Sequence, residues 1–382
     1  MSKAIKKNCL VYCISPTHLL SSISAVKTLH RNENIHVDIL VHHPYVSANI
    51  TSQIGLVIKD MSRLFKFIKK IIVISENKFS RNTDNLKELG FRKSYDEIYY
   101  YVDFIGKPKL LFEKYPSAQK ICYGDAFGIV YEEKVHLSFL NQKKIPLVDK
   151  VIAKIRHERS FVTEYSETIE PDLAVLILPV DQSGNFLKNV ALTIVSKKKL
   201  IETIDQCIYA TSKLQKYLKT TLNNYQDRNK TLLLTENYAE GNFIDFDKEI
   251  EMWCSIVREN CKKGEIIFIK PHPGETLERF TIIKRKLKDY KVVLLDKEFH
   301  RYPIEIFKEL VLNCDVICMS YPMLSLKYLY NLDVINPMNK KFIRRWFPRW
   351  TWASYENSIS LYMEPLKKLA TWDGKSILWT RK

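Results

Sequence analysis

The feature that most narrows the fold is an alternation of short apolar runs with loop-and-helix segments, met twice along the chain. The first series opens with an expected strand at Leu10–Ile14, then Ser15-Pro16-Thr17-His18, a helix from Leu19 to about Arg31, and a strand at Ile35–Val41. Pro16 and its hydroxyl neighbours suit a helix start, because proline lacks an N–H that would go unused there and a hydroxyl accepts from the first turn. Strand, loop, helix, strand at this spacing is a βαβ unit of a parallel sheet. Apolar runs at Lys70–Ile74, Glu97–Tyr101, Lys120–Tyr123 and Leu173–Leu178 continue the pattern.

Between about Pro179 and Lys230 the strand signal fades. Residues 180–185 (VDQSGN) read as a turn, and Leu200–Leu218 has helical spacing. A fresh series follows: strand Thr231–Leu234, helix Asp247–Cys261, strand Ile266–Ile269, helix Leu277–Asp289, strand Val292–Leu295, helix Ile304–Cys314 and a short strand Val316–Met319. With 382 residues the chain exceeds one ordinary core, so two domains are expected, over 1–190 and 191–382. Two Rossmann-like α/β domains facing each other across a cleft describe the GT-B architecture. In open parallel sheets ligands bind beyond the carboxyl ends of the strands, so residues just after strands matter first. GxGxxG and GxxxxGK[ST] are both absent, which argues against a dinucleotide enzyme and a P-loop kinase.

The formal net charge of +17 draws anionic partners, whether nucleic acid, an anionic membrane surface or an acidic polysaccharide. The eight cysteines form no CxxC pair and no zinc-site spacing, and Cys9, Cys13, Cys254 and Cys318 lie in apolar runs as reduced core residues. No metal site is expected. The N-terminus lacks a signal peptide's apolar region, and no apolar stretch approaches the roughly 20 residues that span a bilayer. A cytoplasmic protein is expected, with peripheral contact at the inner face of the cell membrane left open.

The sharpest local signal is Lys270-Pro271-His272-Pro273-Gly274-Glu275, at the end of an expected strand. Two prolines bracket one histidine and hold it extended, since proline fixes its own φ and disfavours helix at the residue before it. A rigidly aimed imidazole can donate to a phosphate and offset the charge that develops as a nucleotide leaves. A lone histidine in a turn is more often a satisfied structural group; the bracket and the strand end favour function here.

This loop resembles the HP motif of bacterial sialyltransferases, and above all of capsule polysialyltransferases. The resemblance implies a GT-B fold, CMP-sialic acid or a related CMP-sugar as donor, inversion at the anomeric carbon, and neither metal nor cofactor. It makes His272 the general acid or electrostatic partner of the CMP phosphate, with Pro273 beside it in the donor site. The family's second motif, a pair of acids followed by glycine, is matched in part by Tyr123-Gly124-Asp125-Ala126-Phe127-Gly128, where only Asp125 stands as the base for an acceptor hydroxyl. Glu132 and Glu133 form a nearby acidic pair that reads as a solvated stretch. The third motif, paired hydroxyl residues holding the donor phosphate, is matched by Ser320 and Ser325, which Tyr321 and further residues separate. Free N–H groups at the helix start there make an anion site, although Ser320 also suits a plain helix cap.

Glu236, after the second series' first strand, suits ribose hydroxyls, because a carboxylate pairs with a vicinal diol. Ser15, Thr17 and His18 hold the matching place in the first domain, where acceptor contacts are expected and helix capping competes. Basic residues before the acidic loop, Lys66, Lys69, Lys70, Lys78, Arg81, Arg92 and Lys93, offer an anionic glycan acceptor a route towards Asp125, with Lys69 as a contact. Similar HP loops occur in Kdo transferases and polyol-phosphate polymerases, which stand as alternatives. Outside the class, residues 342–350 (FIRRWFPRW) interleave basic and aromatic residues as a nucleic-acid binder does. No reader motif accompanies them, so membrane contact or core packing is the better account of the segment and nucleic acid is disfavoured.

Overall fold

The computed structural model describes residues 6–30, 35–43, 47–75, 88–101, 107–128, 169–179, 187 and 189–372. Among the described residues, seven parallel strands build the first sheet: β1 (Lys7–Cys13), β2 (Ile35–Val41), β3 (Ile68–Val73), β4 (Glu97–Tyr100), β5 (Gln119–Cys122), β6 (Leu173–Leu176) and β7 (Ala191–Ile194). Their order is β3-β2-β1-β4-β5-β6-β7, parallel at every pairing. Cys9 to Cys13 are wholly buried, as befits a central parallel strand covered on both faces. Strand order reverses between β1 and β4, the switch point at which open α/β sheets bind ligands.

The second sheet repeats the plan with five parallel strands, β8 (Lys230–Leu234), β9 (Ile266–Lys270), β10 (Lys291–Leu294), β11 (Asp315–Ile317) and β12 (Val334–Ile335), in the order β10-β9-β8-β11-β12. Its switch point lies between β8 and β11. The helix Phe246–Asn260 buries Ile250, Trp253, Cys254 and Val257 in this unit's core, together with Phe342, Ile343, Trp346 and Phe347. The α/β reading with two Rossmann-like sheets thus holds.

Several expectations need correction. β7 lies where the strand signal fades, because its residues are only half-buried at the sheet edge and lack a strong apolar run. The expected helix Leu200–Leu218 is two helices, Lys197–Ala210 and Ser212–Asn223, broken at Thr211. The expected helix Ile304–Cys314 is a turn of 3₁₀ helix, Ile304–Ile306, then Lys308–Leu312. Helices Ala48–Ser62 and Lys107–Lys114 were not expected. The described residues divide at 211/212 rather than 190/191. The physical reason is that β7 extends the first sheet, while Lys199 Nζ donates to the Lys27 carbonyl at 3.2 Å and ties the helix after β7 to the same unit. The turn at 180–185, with Lys78, Arg81, Glu132 and Glu133, lies outside the described residues.

Arg92, expected on the acceptor route, is a structural partner instead. Asp38 sits inside β2 with no exposure and receives Arg92 Nε at 2.7 Å, Arg92 Nη2 at 3.1 Å and the Tyr95 hydroxyl at 3.1 Å. Removing one member of a buried pair leaves the other charge uncompensated, at a cost of about 3–5 kcal/mol. Arg92→Met should therefore lower stability by about that much in denaturant unfolding, and Asp38→Asn in the same background should recover part of the loss. Unchanged unfolding of Arg92→Met would show that the pair contributes nothing net.

Candidate active site

In the first unit, polar groups gather where β1, β2, β4 and β5 end. β5 gives way to Tyr123, Gly124 and Asp125, and the chain then makes a tight turn, with Gly128 N–H donating to the Asp125 carbonyl at 2.7 Å. Gly124 and Gly128 both take positive φ, +80° and +74°, and so does the buried Phe127 at +53°. A Cβ on Gly124 would lie 2.6 Å from the Gly128 carbonyl carbon, and one on Gly128 would lie 2.8 Å from the Ile177 nitrogen. Such backbone is stored strain of order 1–3 kcal/mol at a non-glycine residue. It aims the Asp125 carboxylate, whose side chain is 22% exposed, towards His18, Nε2 to Oδ1 3.0 Å.

His18 is buried in the first turn of the helix Pro16–Leu29, which Ser15 caps by accepting from the His18 N–H at 3.4 Å. Around it stand Tyr123, whose hydroxyl lies 3.1 Å from His18 Nδ1, and the Tyr101 ring at 4.8 Å. Tyr12 Oη lies 2.7 Å from His42 Nδ1. Burial, with the charges of His18 and His42, pushes His43 down to about 4. Of the expected acceptor contacts, Ser15 is a helix cap and Thr17 and His18 are buried; His18 faces Asp125 from behind. Lys66, Lys69 and Lys70 are exposed but sit at the amino end of the edge strand β3, with Lys69 Nζ donating to the Lys66 carbonyl at 2.7 Å. Four strand spacings separate β3 from β5, about 19 Å, so Lys69 does not stand at Asp125.

In the second unit, the loop after β9 is pinned by Glu275. Its carboxylate accepts from the Thr235 hydroxyl at the end of β8, from the His272 N–H at 2.6 Å and from Arg279 Nη1 at 3.2 Å. His272 Nδ1 accepts from the Gly274 N–H at 3.1 Å. The neutral ring therefore carries its proton on Nε2 and presents a donor. A side chain at 274 would press on this arrangement, since a Cβ there lies 2.9 Å from Asn237 Nδ2 and 3.3 Å from His272 Nδ1. Pro273 is exposed, and its carbonyl accepts from Arg301 Nη1 at 3.3 Å.

Glu236, after β8, accepts a short bond from the Ser320 hydroxyl after β11. Burial pushes Glu236 up to about 7, against the Ser320 bond and the Lys270 charge that favour ionisation. Ser320 is thus no cap: Tyr321 occupies that position of the helix Pro322–Tyr330 and makes no side-chain capping bond. Ser325 does not join Glu236 and Ser320, because it is fully buried and donates to Glu305 Oε1 at 2.6 Å.

Sequence reasoning missed the cations beneath this edge. Lys270 is buried at the end of β9, donates to the His300 carbonyl at 2.9 Å, and burial lowers it to about 8 although Glu305, Glu236 and Glu275 pull the other way. Arg279, without exposure, bonds Glu240, Glu249 and Glu275, and so ties the loop after β8 to the loop after β9. The signal was the spacing Glu275-x-x-x-Arg279, an i,i+4 pair across a helix start. A cavity of about 580 Å³ lies beside Arg279, lined by Phe243, Phe246, Thr276 and Trp350 among others, but not by Glu236, His272 or Ser320.

Among the described residues, one trio has the spacing of a metal site: Cys9, His30 and Glu97. It lies near the amino ends of β1 and β4, and its groups bond one another. Glu97 accepts from Lys7 at 2.5 Å, His30 at 2.7 Å and Tyr99 at 2.8 Å. Burial, and the neighbouring Glu97 charge, push the Cys9 thiol up and away from the thiolate a metal needs.

A family model described as alpha-2,8-polysialyltransferase (POLYST) matches residues 10–307. No curated protein is similar enough in sequence to match. Among solved structures, the chain is similar to a UDP-N-acetylglucosamine 2-epimerase from Rickettsia bellii, at 11% identity over 96% of this chain and 95% of that one, TM-score 0.46. It is similar also to a sialyltransferase from Photobacterium damsela, at 10% identity over 98% and 82%, TM-score 0.42. A third is the E. coli ADP-heptose lps heptosyltransferase II, at 11% identity over 86% and 84%, TM-score 0.37.

Two outcomes follow from this geometry. Gly264 has φ +83° with nothing within 4 Å of an added Cβ, whereas Gly124 has φ +80° and a backbone contact at 2.6 Å. Gly264→Ala should cost about 1–2 kcal/mol, the left-handed backbone cost alone, and Gly124→Ala clearly more; equal losses in thermal unfolding would show that the loop yields. For Glu236, the folded chain holds a proton more tightly than the unfolded chain does. Its contribution to stability is full below about 4.5 and is lost as pH rises through about 7. Glu236→Gln should accordingly raise Tm at pH 8 and leave it little changed at pH 4.5; a lowered Tm at pH 8 would contradict burial as the cause.

Proposed function

The chain belongs to the alpha-2,8-polysialyltransferase family, and on that premise we propose that it moves sialic acid from CMP-sialic acid to an anionic glycan acceptor, with inversion and without a metal, in capsule polysaccharide or lipooligosaccharide synthesis. That it is a glycosyltransferase of the sialyl-transferring kind follows from the family; donor, stereochemistry and pathway are the proposal. The observation that carries it is the His272 ring, whose Nδ1 is occupied by the Gly274 N–H so that Nε2 offers a proton to an anion. Asp125 takes the acceptor hydroxyl's proton, the acceptor oxygen bonds the anomeric carbon, and CMP departs with its phosphate charge met by His272. Glu236, which burial brings to about 7, exchanges hydrogen bonds with ribose hydroxyls, and Ser320 steadies it.

The segment 340–350 supports contact with an anionic membrane. Phe342, Ile343, Trp346 and Phe347 are buried in the core, while Lys340, Lys341, Arg344, Arg345 and Arg349 are exposed beside Trp350, itself 64% exposed. Basic groups with an exposed tryptophan suit a lipid headgroup layer. The buried aromatics are withdrawn from stacking on bases, which weighs against nucleic acid. Among the described residues no helix is long and apolar enough to cross a membrane.

Transfer from a panel of CMP-sugars tests the donor. CMP-sialic acid should be used and CMP should raise Tm; use of CMP-Kdo alone, or stabilisation by CDP-polyols alone, would point to the alternative enzymes. His272→Ala should cut turnover by about a hundredfold or more in a folded protein. Asp125→Asn should abolish transfer yet keep the Tm shift with CMP. A folded Asp125→Asn with parental turnover would remove it as the base.

A further inference from the structure

His18 lies behind Asp125, and its hydrogen bonds fix where its protons are. Its ring is 1% exposed. Nδ1 lies 3.1 Å from the Tyr123 hydroxyl oxygen, and Nε2 lies 3.0 Å from Asp125 Oδ1. The Tyr123 oxygen also lies 2.5 Å from the backbone carbonyl of Tyr12. A carbonyl only accepts, and a phenol has one hydrogen to give. That hydrogen therefore goes to Tyr12, the phenol oxygen accepts from His18, and Nδ1 carries a proton.

A neutral imidazole has a single N–H. With it on Nδ1, Nε2 would turn a lone pair on a carboxylate oxygen at hydrogen-bond distance. A second proton must lie between Nε2 and Oδ1. On Oδ1 it would leave Asp125 already protonated and useless as a base; on Nε2 it makes His18 an imidazolium held against a carboxylate. Among the described residues, the other titratable groups around the ring do not upset this count. Burial pushes the Tyr123 hydroxyl well above its ordinary range, so it keeps its hydrogen. Burial also holds the Cys13 thiol up at about 12 and His43 down at about 4, which keeps both neutral. Tyr12 and His42 bond each other, and the Tyr101 ring lies 4.8 Å from the His18 ring, tilted by 55°.

We propose that His18 is the positioning residue of Asp125: as an imidazolium it holds Oδ1 and so fixes the orientation in which the carboxylate meets the acceptor. The proposal rests on Asp125 being the base. In the step, the acceptor O–H breaks and its proton goes to the Asp125 carboxylate. The electron pair left on oxygen forms the bond to the anomeric carbon, and the bond from that carbon to the phosphate oxygen breaks, its electron pair leaving with CMP. His18 keeps both its protons throughout. A carboxylate fixed by such a bond meets the acceptor in one orientation, and misplacement of a reacting group by about 1 Å can cost about a hundredfold.

The test uses the full chain with ¹⁵N-labelled histidine, the His18 signals being assigned by their absence from His18→Gln. Two-bond ¹H–¹⁵N spectra at pH 7 should show both His18 nitrogens protonated. In Asp125→Asn the new amide donates to Nε2, so His18 should become a neutral ring with its proton on Nδ1. A neutral ring protonated on Nε2 in the parent, or identical His18 signals in Asp125→Asn, overturns the proposal. In turnover, His18→Gln should lower kcat by about ten- to a hundredfold with the donor KM little changed. A parental kcat in folded His18→Gln reduces His18 to packing. An active Asp125→Asn overturns the base assignment and the clamp together, whereas an inactive Asp125→Asn with unmoved His18 signals overturns the clamp alone.

Discussion

A parallel sheet covered on both faces has little room for polar side chains except at its strand ends. In both units the chemistry obeys that constraint. Tyr12, His18, Tyr101, Tyr123 and Asp125 crowd the carboxyl edge of the first sheet, and Thr235, Glu236, Lys270, His272 and Ser320 that of the second. Asp38, which breaks the rule inside β2, does so only with Arg92 and Tyr95 upon it. Because strand order turns at β1/β4 and at β8/β11, neighbouring loops diverge at those points and leave room for a ligand.

The second unit shows what it takes to keep acids under such an edge. Glu236, Glu249, Glu275 and Glu305 are all raised by burial, and two buried cations, Lys270 and Arg279, face them. Acids outnumber cations at this edge, so protons and hydroxyl donors (Thr235 to Glu275, Ser320 to Glu236, Ser325 to Glu305) make up the difference. The bracketed histidine is therefore held less by its prolines than by the carboxylate three residues on, which grips its backbone N–H.

Much of this was legible in the sequence, for definite reasons. Central strands such as β1 and β8 are near-continuous apolar runs, and the residues just after them announce themselves by position. Edge elements were not legible: β7 is half-buried and reads as loop. Partnerships across the sheet were not legible either. Nothing in the spacing of Ser15 to His18 says that one of them points at a residue 107 positions on, or that Ser325 turns inward to Glu305 while Ser320 meets Glu236. Charge was the poorest guide. The lysines of β3 and Arg92 counted towards an acceptor route, yet the former lie at the sheet's far end and the latter is spent on Asp38.

The two glycines that frame Asp125 bear on how this loop can vary. Position 124 needs left-handed backbone and has the carbonyl carbon of 128 where a side chain would begin; position 128 is closed in the same way by Ile177. An acid at 124, the residue that the resemblance would place there, would force a shift in the turn that aims its neighbour. The turn as it stands therefore carries one carboxylate, and a second acid at 124 would have to come with a change of backbone there.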